Sequence, residues 1–527
     1  MRKNRRNQLL PWRGGGGGGS GQLVMCGVLF LAATSRALLT SLQASSHPRS
    51  WSSSVRTHGG GRTSAKGISC LRSSAFSGSD LPTAMIQGGA AGRQQQRGRH
   101  SGSGVGGLEA AVSDVFPRFK RRRKAAAEEN TPPLYRSVKT TMRPLRLPAW
   151  PVQNGLIYTA LDFLRLRKLA LHLEDLWGGR VGVLQPPNQV ESDPFIMLVH
   201  HRHTFWPLDP FRPISNMFVP EGFPAHPHRG FQTVTYVMRG GMVHRDSMGL
   251  KQRYGANAVQ WMSAGRGILH EEMWDIKDKW EKADMELYQI WVNLPSSLKM
   301  TRPRIQLAGE GTGSPLPVAT PSKGTEVIVV AGEASTGKRL CNETSPVETM
   351  QPLSMLHVKM KVGAEPWAHH VPWGHHCLIY VRRGDLTIVP TEEGYYEGDE
   401  DREPQLVSTA TAVSLEDDGD YARFENRGKE DLDFMLIEAE PTRESIATRG
   451  SMVMNTEKEC DKAYRDFSEG FFGVPWDNRL NDDEWREVNE ISEERSIESE
   501  KSSRARSEKS SHVCCCFRPV RCRPTDR

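Results

Sequence analysis

The sequence predicts an all-β fold of two similar barrels, closed by a helix and flanked by extensions that do not pack. Three observations predict it. Short runs rich in β-branched and aromatic residues recur from residue 231 to residue 438, at the spacing of a barrel or sandwich. They occur on both sides of residue 320, which points to two barrels. Composition then separates this stretch from a basic leader and a charged tail.

The chain has 527 residues, of which 37% are hydrophobic. That is enough for two or three domains, with part of the length left unpacked. Residues 1–150 carry 24 Lys and Arg against 5 Asp and Glu, and the remainder carries 45 against 57. The formal charge of +7 therefore belongs to the leader. The acidic remainder excludes a broad nucleic-acid surface on the folded part, because phosphate binding needs clustered cations there. The nine cysteines include no CxxC pair, which argues against a zinc knuckle or a disulfide framework.

The leader, residues 1–150, is Arg-, Ser- and Gly-rich, and Asp80 is the only acid among its first hundred residues. Such composition is that of an organellar transit peptide. Within it, residues 23–33 form an apolar run behind a basic start, resembling a secretory h-region and too short for a membrane span. Together they suit a bipartite plastid leader. The expected location is an organelle, plastid or mitochondrion, with nucleus or cytoplasm as alternatives. The KRRRK run at 120–124 is a candidate nuclear signal or nucleic-acid arm, against an ordinary basic linker. Residues 478–527 are charged and Ser-rich, so they are expected to be disordered. Cys514, Cys515 and Cys516 lie in this tail as an acylation candidate without a supporting anchor.

Residues 157–177 predict a surface helix. Leu161, Leu164, Leu166, Leu169, Leu173 and Leu176 recur near helical spacing with Arg165, Arg167 and Lys168 between them, and Gly178-Gly179 ends it. Residues 231–238 and 242–245, joined across Gly240-Gly241, read as a β-hairpin. Further strands are expected at 258–262, 288–292, 327–331, 356–362, 377–381, 386–389, 410–415 and 434–438, with a closing helix at 464–472.

Two segments carry the chemistry. In FPAHPHRGF, residues 223–231, His226 and His228 are one residue apart. Alternate side chains of an extended segment share a face, and Pro227 places the segment at a strand start or edge. In GRGILHEEM, residues 265–273, His270 and Glu272 repeat the spacing. Strand parity selects Glu272 over Glu271 as the inward carboxylate, and Gly265 and Gly267 permit a tight turn before it. Three imidazoles and one carboxylate form a mixed N/O set suited to a divalent transition metal. Four protein ligands leave an octahedral ion two open positions. Satisfied core histidines are the competing reading. His244, Trp261 and Met262 are candidates to line the pocket.

The segments HPHRGFQTVTYVMRGGMVHRDSMG, QWMSAGRGILHEEM and LYQIWVNLP, with Asp193-Pro194-Phe195 ahead of them and GSMVMN at 450–455, together resemble the pirin family over residues 178–475. The resemblance implies two tandem cupin barrels, of the double-stranded β-helix or jelly-roll type, with a C-terminal helix. It implies an N-terminal metal-binding cupin at 178–320 and a metal-free C-terminal cupin at 321–475. It implies one divalent transition metal, Fe(II), held by His226, His228, His270 and Glu272. The implied activity is that of a quercetin 2,3-dioxygenase, taking a small aromatic flavonol-like substrate and O₂, with Glu272 serving as ligand and base. The alternative is a redox-responsive regulatory cofactor acting on a protein partner. Gln232 stands where many pirins have Glu. The stretch from 194 to 224 is longer than in the family, and its His200, His201 and His203 are expected on a surface loop, with a pocket lid as the alternative. The acidic run at 392–403 is expected to be a solvated loop. His369, His370, His375 and His376 in the second half lack an HxE partner motif.

Overall fold

The computed structural model describes residues 133–475, except 187–188, 218–220, 277–279, 337–338 and 392–402, together with residues 483, 484 and 487. Most of the leader, with its apolar run at 23–33 and its basic run at 120–124, lies outside the described residues. So do nearly all of the acidic run at 392–403 and of the tail with its cysteine cluster.

The two halves of the fold repeat one plan, a seven-stranded sheet against a four-stranded sheet. In the first barrel the larger sheet runs Arg304–Gly309, Ala258–Ser263, Phe231–Arg239, Ala283–Asn293, Phe195–Phe205, Arg180–Leu184, Leu145–Pro148. The smaller runs Gly222–His228, Ile268–Trp274, Gly241–Asp246, Lys251–Gly255. In the second barrel the larger sheet runs Val138–Met142, Thr411–Leu415, His376–Arg383, Leu432–Ala439, Leu353–Met360, Thr325–Ala331, Val318–Ser322. Its partner runs Trp367–His370, Tyr421–Glu425, Asp385–Ile388, Gln405–Ser408. The expected all-β pair of cupin barrels is the observed fold.

The two large sheets pack face to face. Leu198, Val234, Tyr236, Trp261, Tyr288 and Ile290 of the first meet Ile328, Val330, Met355, Leu378, Met435 and Ile437 of the second in one buried cluster. Trp261 thus belongs to this seam and not to the metal pocket, while Met262 packs with Ala264 and Ile268. At one border of the seam, Glu286 accepts from Arg202 (3.1 Å) and from both Nε and Nη2 of Arg382 (2.8 and 2.7 Å). The arginines hold its carboxyl well below the usual range, against the opposing effect of burial.

Several expectations need correcting. Residues 138–148, assigned to the leader, form one strand in each large sheet. The helix expected at 157–177 is a hairpin of two helices, Val152–Phe163 and Arg167–Trp177, broken where Arg165 takes φ 63°. Leucine spacing alone continues across that turn and hides it. The hairpin expected across Gly240-Gly241 does not form. Phe231–Arg239 pairs with Ala258–Ser263 and Ala283–Asn293, whereas Gly241–Asp246 pairs within the other sheet. Gly240, at φ 78°, is where the chain changes sheets, and a Cβ there would lie 2.1 Å from the sulfur of Met285. A paired glycine signals a sharp turn but not which strand comes next. His200, His201 and His203 are not on a surface loop; they are buried on Phe195–Phe205, an interior strand of the large sheet. The closing helix is Glu457–Ser468, started seven residues earlier than expected by a capping box in which Thr456 and Glu459 satisfy each other's backbone.

Candidate metal centre

The centre is built on two antiparallel neighbours, Gly222–His228 and Ile268–Trp274. Their register sets His226 directly opposite His270 and His228 opposite Ile268. Directly paired residues on one face have their side chains within reach, so two HxH-like alternations converge. The rings of His226 and His270 have centroids 4.4 Å apart, His226 and His228 4.6 Å, and His228 and His270 4.8 Å. The turn before the second strand requires its glycines. Gly267 has φ 134°, and a Cβ there would lie 2.6 Å from the ring of Phe472.

His226 Nδ1 donates to the carbonyl of Pro224 at 2.8 Å. This fixes the tautomer and leaves its Nε2 lone pair facing Nε2 of His270 at 3.0 Å. Burial lowers the pKa of His226 to about 4, and it holds His228 and His270 well below the usual histidine range. All three are neutral at physiological pH, which is the ligating form.

Glu272 is 1% exposed. One carboxylate oxygen accepts from Thr235 Oγ1 (2.9 Å) and Tyr254 OH (3.2 Å), the other from Gln289 Nε2 (2.8 Å). Every one of these donors is neutral. Burial raises the carboxyl pKa, and His244 and the three donors oppose that shift. Among the described residues Glu272 forms no ion pair with Lys or Arg. Glu271, on the outward face, pairs with Arg245 at 2.8 Å, so strand parity assigned the two carboxylates their faces correctly.

Two groups of metal-compatible donor atoms, each within 4.8 Å of one another, share His270: His226–His228–His270 and His244–His270–Glu272. The four residues expected from the sequence therefore line one continuous cluster, with Glu272 joined to it through His270. His244 enters it as well. It lies opposite Glu272 on the next strand, and its Nε2 donates to Asp246 at 2.8 Å while both side chains are fully buried. The i, i+2 spacing of His244 and Asp246 was available in the sequence, but the misread hairpin turned that strand toward the wrong neighbour.

The residues fit a divalent cation. Two imidazole nitrogens 3.0 Å apart can share only one proton between them, whereas a metal takes both lone pairs. A buried carboxylate surrounded by neutral donors also lacks the positive charge that would compensate it. On one side of the centre the Trp291 ring meets His228 edge-on and Phe231 at a tilt, at 5.5 and 4.6 Å between centroids. On another, a small hollow is lined by Ala225, Asp246, His270 and Glu271 together with Val474 and Pro475 from the far end of the chain.

Among the described residues, both metal-compatible groups lie in the first barrel. In the second, His369 is hydrogen-bonded to Ser335, His375 to Glu438, and His376 to the carbonyl of Asp193. Cys377 and Tyr380 are buried in the core.

Comparison with known proteins agrees with this architecture. The family described as Pirin matches residues 183–292, and the Pirin C-terminal cupin domain matches residues 355–473. Human Pirin is 38% identical over 250 residues, 47% of this chain and 77% of that protein. A Pseudomonas aeruginosa protein provisionally named a quercetin 2,3-dioxygenase is 36% identical over 252 residues, 48% of this chain and 79% of that protein. A crystal structure of quercetin 2,3-dioxygenase from Acinetobacter baumannii superposes with a TM-score of 0.49 at 24% identity, covering 64% of this chain and 99% of that one. By the identity and coverage of its sequence relatives, this chain belongs to the pirin family.

Proposed function

We propose that the chain is an iron-dependent dioxygenase of flavonol-like substrates, with His226, His228, His270 and Glu272 as the metal ligands. The observation that carries this reading is the buried cluster itself: neutral imidazoles and an uncompensated carboxylate in the barrel. The relative named a quercetin 2,3-dioxygenase supports the substrate class.

A divalent ion held by His226, His228, His270 and Glu272 would supply Lewis-acid polarisation of an enolic oxygen of the substrate. The protein's own part is positioning. His226, fixed by Pro224, and His270, set opposite it, hold their Nε2 atoms toward one point. Glu272 is kept in place by Thr235, Tyr254 and Gln289. Because burial raises its proton affinity, its carboxylate is suited to take the substrate's 3-hydroxyl proton. Trp291 and Phe231 give an aromatic ring an apolar wall and exclude water from that side. In the overall reaction the C2–C3 and C3–C4 bonds of the flavonol would break, one atom of O₂ would enter at each flanking carbon, C3 would leave with its own oxygen as carbon monoxide, and the proton taken from the 3-hydroxyl would return to the new carboxyl group of the ring-opened ester.

The test is metal content and quercetin consumption measured together on the full chain and on the His226→Ala, His270→Ala double variant. About one metal per chain with metal-dependent loss of quercetin absorbance supports the reading. Retained metal with no turnover across a flavonol panel overturns the enzyme and favours the regulatory alternative. Equal metal content in the double variant overturns the ligand set.

A further inference from the structure

We propose that the helical hairpin Val152–Trp177 is a docking surface for an anionic lipid bilayer, on which the folded chain rests without crossing it. The hairpin lies ahead of the part matched by the family, which begins at residue 183. It displays the largest concentration of exposed apolar side chains in the described structure: Phe163 is 89% exposed, Leu164 62%, Leu156 59% and Ile157 55%, and Leu169 and Leu176 of the second helix are also exposed. Trp177 is exposed at its end. Scattered apolar residues need no explanation, but eight exposed ones within one 26-residue hairpin do. The adjoining segment adds exposed Leu208, Phe211, Ile214 and Met217, tied to the hairpin by Gln153 and Asp209 at 3.2 Å.

Charge selects the occupant. The hairpin has three acids, Asp162, Glu174 and Asp175, and all are spent on the barrels. Asp162 and Glu174 pair with Arg146 and Arg180. Asp175 pairs with Arg202 and Arg383. The outer face keeps its cations instead. Arg165 and Lys168 are exposed beside Phe163, Leu164 and Leu166, with no carboxylate partner among the described residues. An apolar face edged by cations and an interfacial tryptophan is what the headgroup boundary of an anionic membrane accepts. The chain's own residues 1–132 are a poorer occupant, since their 20 cations against 5 acids would meet cations. A second copy is poorer too, because two-fold contact would bring Arg165 and Lys168 toward their own equivalents without a neutralising acid.

Co-sedimentation of the full chain with vesicles of phosphatidylcholine alone, and with 30% phosphatidylglycerol, tests the proposal. The variants are Phe163→Ser/Leu164→Ser/Leu166→Ser and Arg165→Glu/Lys168→Glu, all at exposed positions and checked for native circular dichroism. Wild type is expected to prefer anionic vesicles, with either variant binding about tenfold more weakly or worse. In 0.5 M salt the leader's contribution is screened, and a residual wild-type binding that the apolar variant lacks marks insertion of the hairpin. Vesicle binding equal in wild type and both variants would assign it to the leader and overturn the proposal. So would no binding at all, or a wild-type dimer that the apolar variant converts to monomer, which would make the face a contact between copies.

Discussion

The two barrels share a plan and differ in what fills them. In the second, the inward positions of the small sheet are apolar or paired: Trp367 lies opposite Phe424 and His369 opposite Ala422. Around them Val329, Leu356, Ile379, Leu386, Phe434 and Leu436 form a continuous core. In the first, the corresponding strands put His226 opposite His270, with Glu272 two residues on, and its apolar clusters are smaller and divided. The second barrel uses its interior for stability. The first gives up part of that burial for a polar centre. Shared topology therefore does not imply a shared site; the side chains on two strands decide.

The comparison breaks most sharply at the metal. His270→Ala is expected to remove essentially all retained metal, while His369→Ala leaves the metal content unchanged; elemental analysis of both proteins checks it. Transplanting the first barrel's chemistry into the second is the next largest effect. Phe424→Glu places a carboxylate among the apolar side chains of Trp367 and Phe434, and urea unfolding should show a loss of several kcal/mol.

Acid should reach both barrels through buried histidines. Burial lowers His369 in the second barrel to about 4 and His203 in the first to about 3. Each stays neutral when folded and protonates near pH 6.5 when unfolded. The unfolded state then binds more protons, so stability is full above about pH 6.5 and falls as pH drops toward the folded value. The slope is about 1.4 kcal/mol per pH unit for each group. Urea midpoints at pH 7 and pH 5 measure it, and His369→Gln should flatten the slope.

Thr235→Val removes one donor from Glu272 and no ligand. It should weaken metal affinity roughly tenfold to a hundredfold with little change in apo stability, read by competition with a chelator. The smallest effect belongs to the exposed pair of Lys361 and Asp431, 2.7 Å apart: Lys361→Ala should leave the melting temperature unchanged, since solvent screens such pairs.

Local alternation made the heart of this centre legible. His226 and His228, and likewise His270 and Glu272, are each two residues apart on an extended segment, and period-two parity needs no tertiary knowledge. Glu271 and Glu272 were told apart by the same rule. What failed depended on pairing. The sequence around Gly240-Gly241 looks like any tight hairpin, and only the packing of Gly240 on Met285 reveals a change of sheet; with that missed, His244 could be placed no closer than the pocket wall. His200 and His203 read as polar and therefore external. Their partners, Tyr380 and Glu286 for His200 and the backbone of Trp150 for His203, are distant in sequence, so their burial left no local trace. The break at Arg165 was hidden because the leucines on both sides stay near helical spacing.

Residues 138–148 have a further consequence for the life history of the chain. One strand of this short stretch completes the edge of each large sheet, and Arg136 just ahead of it donates to the carbonyls of Gly419, His375 and Pro372. A protease that matured the chain would have to stop short of this stretch, because trimming into it bares a sheet edge on each barrel, and bared edges recruit other strands. The fold thus sets a limit on any such trimming: Leu134, buried and accepting from the backbone of Asp420 and Tyr421, has to stay.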